Sequence, residues 1–241
     1  GMGITGTEVS KSVSSMILAD DNFATIVVAI KEGRRIYANI QNVIVYLLAS
    51  NLAEVLIIFL ATLVNRTILL PINLVTDTIP AIALGFEKEE KNIMRQKPRS
   101  ASEKFFTPFL TLRILIPGII KTIVMFLIYF FVEASYGAQM ASAAVFTSLS
   151  IIEVLFAYVC RSDKRPVFKI GLFSNMVMVL CVIGTLILQV LVISNPVTAS
   201  WLKIPLMPNH VYIMIIVASI DCVIIFEFVK VILAKMFHKV K

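Results

Sequence analysis

Val43-Ile44-Val45-Tyr46-Leu47-Leu48-Ala49-Ser50-Asn51-Leu52-Ala53-Glu54-Val55-Leu56-Ile57-Ile58-Phe59-Leu60-Ala61-Thr62-Leu63-Val64 is an apolar run interrupted only by Ser50, Asn51, Glu54 and Thr62. A helix needs about 20 mostly apolar residues to cross the hydrocarbon core of a bilayer. The run therefore reads as a transmembrane helix, and as one that carries a carboxylate at depth. Five further stretches, about 68–86, 111–132, 142–160, 173–193 and 209–233, meet the same criterion. The second is the shortest and contains Pro71 and Pro80. Composition agrees: of 241 residues 59% are hydrophobic and 15% charged, where a soluble chain is nearer half and a quarter. The expected fold is all-α and integral to the membrane, a six-transmembrane-helix bundle over 43–241.

Upstream of the first span no proline falls between Phe23 and Val64, and Gly33 is the one weak helix former. A continuous helix of that length would be about 60 Å long, twice the thickness of the hydrocarbon core. Residues 23–42, with Lys31, Glu32, Arg34 and Arg35, are thus expected to leave the bilayer as a cytoplasmic stalk, with a break at Gly33 as the alternative. Residues 1–22 are soluble in character. Met16-Ile17-Leu18-Ala19 reads as a short strand or apolar turn, and Asp20-Asp21-Asn22 as an N-cap cluster. Residues 87–110, with Pro98 and Pro108, read as an irregular linker, 134–141 as a short loop and 194–208 as the main external connection.

The net charge of +7 does not indicate nucleic acid. With both termini cytoplasmic, nineteen of the 22 Lys and Arg residues lie on the cytoplasmic side, Arg66 and Lys203 lie outside, and Lys121 falls within a span. That asymmetry is the positive-inside rule, so the basic residues set topology and favour anionic lipid. Cys160, Cys181 and Cys222 sit in apolar runs without metal-ligand spacing and read as reduced packing residues. The glycine-rich opening has no apolar segment of the kind a secretory signal needs.

Carboxylates inside a span cost at least ~2.5 kcal/mol each on insertion scales and so mark function by default. Asn51 and Glu54 are three residues apart; Asn73, Thr76 and Asp77 follow an i, i+3, i+4 spacing. Each set lies on one helix face, and Glu153 can supply a third helix. Carboxylate, amide and hydroxyl oxygens suit a hard cation such as calcium, and the absence of sulfur and imidazole disfavours zinc or copper. Pro80 has no N–H for the Thr76 carbonyl, which is thereby freed beside Asp77. Against this stands the ordinary use of polar side chains as interhelical glue, and Lys121 offers itself as a partner to one carboxylate. Asp221 and Glu227 have no polar stripe beside them and read as packing or interface residues.

At these residues the chain resembles a known family. Gly3-Ile4-Thr5-Gly6-Thr7-Glu8-Val9 and Ile17-Leu18-Ala19-Asp20-Asp21-Asn22-Phe23 look like the end of the phosphorylation domain of P-type ATPases, and Glu32-Gly33-Arg34 with Ile36-Tyr37 continues the likeness into the stalk. Ser50-Asn51-Leu52-Ala53-Glu54 and Asn73-Leu74-Val75-Thr76-Asp77 are similar to the fifth and sixth membrane helices of the sarco/endoplasmic-reticulum-type calcium ATPases and their bacterial relatives. Ala83-Leu84-Gly85-Phe86 and Pro98-Arg99 match the run after the sixth helix.

The resemblance implies the C-terminal membrane portion of an ATP-driven calcium pump, with Asn51, Glu54, Thr76, Asp77 and Glu153 forming one calcium site. Asn73 and Asp77 would contribute to a second, completed by carbonyls and a Glu from a helix not in this chain. Glu54 leaves a two-ion pump open. Mg2+ and ATP would act on the full-length protein, because the aspartyl-phosphate motif, the nucleotide and actuator domains and four helices have no counterpart here. On that reading the chain's partners are the lipid bilayer, calcium and the N-terminal half of the same pump, in a multi-pass cell-membrane protein. One departure stands out: only Ile72 separates Pro71 from Asn73, where family members carry several more residues. The alternatives are a pump for sodium, potassium or manganese, which Asn73 and Glu153 disfavour, or a non-enzymatic membrane subunit.

Overall fold

The structure, a computed structural model, describes residues 1–68, 77–90, 93–95, 98, 104–201 and 204–238. It divides into two compact units, Gly1–Ile40 with Lys88–Glu103, and Gln41–Glu87 with Lys104–Lys241. Helix α1 is Glu8–Ser12 and α2 is Ala24–Leu63; α2 runs unbroken through Gly33, which removes the alternative of a broken stalk. Helix α3 is Thr78–Gly85, α4 Pro108–Tyr136, α5 Ala138–Cys160 and α6 Val167–Ile170. Helices α7, α8 and α9 are Met176–Ser194, Pro196–Trp201 and Asn209–His238. Among the described residues five helices, α2, α4, α5, α7 and α9, are long and apolar enough to cross a membrane. Of the expected second span, 68–86, α3 forms the later part; residues 69–76, including Pro71, Ile72, Asn73 and Thr76, lie outside the described residues.

In the first unit the chain start is tied to the start of α2. Met2 and Leu18 form an isolated parallel bridge, and the Asp21 carboxylate accepts hydrogen bonds from the amides of Ile4 (2.9 Å) and Thr5 (2.7 Å) and from the Thr5 hydroxyl (2.6 Å). The expected cap cluster is present: Asn22 Oδ1 accepts from the Ala24 amide at 2.9 Å and Asp20 from the Thr25 hydroxyl at 2.6 Å. On the unit's part of α2, Lys31 pairs with Glu89 at 2.6 Å and Arg34 donates to the Ile93 carbonyl at 2.8 Å.

The Thr5 hydroxyl bond, followed by the Ile4 amide, pulls the Asp21 carboxyl from its ordinary 3.8 down to about 2. A depressed carboxyl stabilises the fold above its unfolded value and loses that contribution as pH falls through its folded one. The Asp21 clasp is therefore expected to be complete above about pH 4 and to open as pH approaches 2. The Thr5 amide resonance, followed by NMR, should move in that window and should lose the transition in Asp21→Asn.

In the second unit α5 is the central helix. Its membrane-length window is 83% buried, against 33–44% for the other four. The sequence explains why: Ala141, Ser142, Ala143, Ala144, Ser148, Ser150 and Ala157 are small, so neighbouring helices approach closely on several sides. Three of its hydroxyls are satisfied within the helix, Thr147, Ser148 and Ser150 each donating to the carbonyl four residues back at 2.7–3.0 Å. Helices α4, α7 and α9 pack on α5, α9 also packs on α4, and α3 packs on α7.

Two connections differ from the sequence expectation. The loop expected over 134–141 is a single residue, Gly137, because both helices continue past their apolar runs. Its φ of 82° and ψ of 170° are open only to glycine, which lets α4 reverse directly into α5. The connection 194–208 contains α8, started by Pro196 and by Asn195 Oδ1, which accepts from the Val197 amide at 2.9 Å. In 87–110 the described part includes one 3-10 turn, Ile93–Arg95.

Candidate functional site

The polar residues expected at the site come from three elements of the second unit. Glu54 on α2 is buried, as are Asp77 at the start of α3 and Glu153 on α5, the last with no exposed surface. Asp77 occupies the N-cap position of α3 and its carbonyl accepts from the Ala81 amide at 3.0 Å, yet its side chain makes no capping bond. The carboxylate is directed elsewhere: Tyr46, one helical stretch below Glu54 on α2, offers its hydroxyl to Asp77 Oδ1 at 3.4 Å. Asp77 Oδ2 and both oxygens of Glu153 are buried and accept no hydrogen bond among the described residues. Buried carboxylate oxygens without donors are costly, and they are the kind of atom a cation would satisfy.

The three carboxylates form one electrostatic neighbourhood, in which Glu153 feels Asp77, Lys121 and Glu54. Asn51 behaves differently. It is exposed at the bundle surface and its amide donates to Leu47 O on its own helix at 2.9 Å. Asn73 and Thr76 lie outside the described residues, and so does the carbonyl that Pro80 would free. Among the described residues no three Asp, Glu, His or Cys side chains gather closely enough to hold an ion unaided, so a site built on Glu54, Asp77 and Glu153 requires further oxygens.

Two further polar groups complete the picture: Lys121, which the sequence offers as a partner to one carboxylate, and Arg161, which the sequence does not single out. Lys121 on α4 has no exposed surface; its Nζ donates to Ser50 Oγ at 2.9 Å and lies 4.1 Å from the centroid of the Phe156 ring. Phe156 in turn stacks on Tyr46, with centroids 6.1 Å apart. The second group is an ion-pair hub at one end of the bundle. Arg161, just past α5, pairs bidentately with Glu87, with Nε and Nη2 each 2.8 Å from a carboxylate oxygen. The remaining donors of Arg161 reach the Gly171 carbonyl at 2.9 Å and Ser174 Oγ at 2.6 Å. Asn175 Nδ2 donates to Glu87 at 2.9 Å and to the Ala83 carbonyl at 3.2 Å, while its Oδ1 caps α7 through the Met178 amide at 3.1 Å. One arginine thus joins the ends of α3, α5 and α7.

The sequence signal for the hub was weak, because Glu87 and Arg161 stand 74 residues apart in stretches that read as loop. Of the residues set aside, Asp221 is exposed on α9, and Glu227 forms a buried pair with Lys230 at 2.8 Å. Lys230 also donates to the Val159 carbonyl at 2.9 Å, so this pair ties α9 to α5.

Residues 61–232 match the family described as "Cation transporting ATPase, C-terminus". Among similar proteins, "Calcium-transporting ATPase 1" of Bacillus cereus is 33% identical over 256 residues, covering 95% of this chain and 28% of that protein. "Calcium-transporting ATPase" of Bacillus subtilis is 40% identical over 204 residues, 81% of this chain and 23% of the relative. "Calcium-transporting ATPase type 2C member 1" of Homo sapiens is 36% identical over 202 residues, again 81% of this chain and 22% of the relative. The chain spans about a quarter of the length of these curated relatives. A helical membrane bundle, carboxylates buried within it and a family match over most of its length lead to one assignment: the chain belongs to the cation-transporting ATPases and is a C-terminal membrane region of that family.

Proposed function

We propose that this chain supplies most of the intramembrane cation site of an ATP-driven calcium pump, with Glu54, Asp77 and Glu153 as its charged ligands, Asn73 and Thr76 as neutral ones, and Asn51 joining them once its side chain leaves its bond to Leu47. The observation that carries the reading is that α2, α3 and α5 each bury a carboxylate in one electrostatic neighbourhood, with oxygens of Asp77 and Glu153 that accept no hydrogen bond among the described residues. Oxygen-only chemistry suits calcium, and the relatives named above are calcium-transporting ATPases. Residues 1–22 would end a phosphorylation domain and 23–42 would form the stalk, with 43–241 as the membrane domain. ATP, Mg2+ and the phosphorylated aspartate belong to sequence outside this chain. Phosphorylation there would move α2 and the 87–110 segment, exposing the site to one membrane face and then the other. The concentration of Lys and Arg on one side supports cytoplasmic termini in a multi-pass cell-membrane protein.

Competition among cations for phosphoenzyme formation by the full-length protein tests this reading. Calcium is expected to support phosphorylation at concentrations at least about a hundredfold below sodium or potassium, because several carboxylate oxygens favour a divalent ion, and at concentrations below manganese. Equal support from manganese, or a requirement for sodium or potassium, would replace calcium as the cargo.

A further inference from the structure

Arg113 on α4 is a buried guanidinium without an acid. Among the described residues its one hydrogen bond runs from Nη2 to the neutral Asn42 Oδ1 at 3.2 Å, and its charge lies 5.7 Å from the centroid of the Phe109 ring. Two other buried cations near this end of the bundle are matched by carboxylates, Arg161 by Glu87 and Lys230 by Glu227, each at 2.8 Å. An ionisable group inside a span is ordinarily held by a partner of opposite charge. No carboxylate of the described residues pairs with Arg113.

Beside it the helices leave a gap. An open-sided cavity of about 300 Å³ lies between α2, α4, α5 and α9; Arg113 and Lys230 line it with Pro117, Phe156, Phe226 and Val229, and the rest of its lining is apolar. Pro117 helps to explain the gap, since it has no N–H for the Arg113 carbonyl and its ring pushes against that carbonyl, which keeps α4 from closing tightly there. One residue on, packing is tight: a Cβ added to Gly118 would be 2.8 Å from Leu52 Cδ2 and 3.2 Å from the Ala49 carbonyl. The opening is thus local to the level of Arg113. Among the described residues no acidic side chain lines it, so its walls combine two cations with hydrocarbon.

We propose that this cavity holds the phosphate headgroup of an anionic phospholipid. The guanidinium supplies paired N–H donors in the fork that suits phosphate oxygens. Lys230 adds a second positive charge, although Glu227 already balances it. The apolar remainder of the lining disfavours a hydrated soluble anion, whereas a lipid arrives with its acyl chains along the outer surface of the bundle. The inference rests on the proposed topology, in which the concentration of Lys and Arg puts this end at the cytoplasmic leaflet, where anionic lipids gather. Asn42 holds the other edge of Arg113 and donates to the Arg161 carbonyl at 3.4 Å, so a bound headgroup would fasten α4 to α2 and to the end of α5.

Native mass spectrometry of the full-length protein in detergent tests this, with dioleoylphosphatidylglycerol, dioleoylphosphatidylcholine and glycerol 1-phosphate as probes. The wild type should retain one phosphatidylglycerol at a concentration at least about fivefold below that needed for phosphatidylcholine, the effect of one basic residue on an anionic headgroup. Arg113→Gln should lose that preference, and Arg113→Lys should keep part of it. Val229→Trp fills the cavity from a partly buried position and leaves the charge in place. It should lose the retained lipid as well, and it serves where Arg113→Gln does not fold. Equal retention of the two lipids by the wild type overturns the inference, as does a preference that Arg113→Gln and Val229→Trp both keep. Displacement of the phospholipid by equimolar glycerol 1-phosphate assigns the cavity to a soluble anion and overturns it too. The readout is bound lipid, so its failure leaves the calcium reading standing, and failure of the calcium reading leaves this result unchanged.

Discussion

Asparagine in place of Asp77 is expected to raise the calcium concentration needed for half-maximal phosphorylation of the full-length pump by roughly a hundredfold or more, since calcium affinity follows the number of charged ligands. The substitution keeps the size of the side chain and an oxygen for the Tyr46 hydroxyl, which lies 3.4 Å from Oδ1. It removes one of three buried charges and leaves the α3 cap intact, because the Asp77 side chain makes no capping bond. Loss of calcium response with retained phosphorylation from inorganic phosphate would locate the defect at the ion site. An unchanged calcium dependence would remove Asp77 from the site.

The second large effect concerns stability. Arg161→Ala should destabilise the membrane domain by about 3–5 kcal/mol, the usual result of stranding one half of a buried ion pair. The Arg161 side chain has no exposed surface and that of Glu87 is 7% exposed, so the carboxylate left behind would have little access to water. Asn175 would keep one bond to it, at 2.9 Å, which favours the lower end of the range. Replacing both residues, Arg161→Met with Glu87→Leu, should recover much of the loss, because no charge then remains buried. Thermal unfolding of the detergent-solubilised protein, followed by far-ultraviolet circular dichroism, reads both. A loss below about 1 kcal/mol for Arg161→Ala would mean that water reaches Glu87 and that the hub does not fasten α3, α5 and α7.

Helices were legible in the sequence wherever burial or capping left a local mark. The 43–64 run predicted the membrane part of α2, and the lack of proline from Phe23 onward predicted its continuation upstream. Polar helix ends were harder. Glu133 to Tyr136 extend α4 beyond its apolar run because Gly137 permits an immediate reversal, a property of one backbone angle rather than of hydropathy. At the site, the buried carboxylates were legible because charge inside an apolar run is conspicuous. Asn51 shares that run, yet its exposure and its bond to Leu47 depend on how α2 is rotated against its neighbours, which spacing alone does not set.

Lys121 and Arg161 show the other limit. Each acts through a partner some 70 residues away, Ser50 for one and Glu87 for the other. Nothing in the local pattern around Glu87, in a stretch of alternating charges, distinguishes a buried ion pair from a solvated loop. The tertiary approach of α4 to α2 at Gly118, and of the ends of α3, α5 and α7 to one another, had to be seen.

The most direct test of the central claim is ATP-driven uptake of radiolabelled calcium into sealed vesicles that contain the full-length protein. Uptake should depend on ATP and Mg2+, should be abolished when the vesicles are made leaky to calcium, and should be absent in Asp77→Asn. Calcium-independent ATP hydrolysis without uptake, or uptake that Asp77→Asn leaves intact, would contradict the assignment of the buried carboxylates to a calcium pathway.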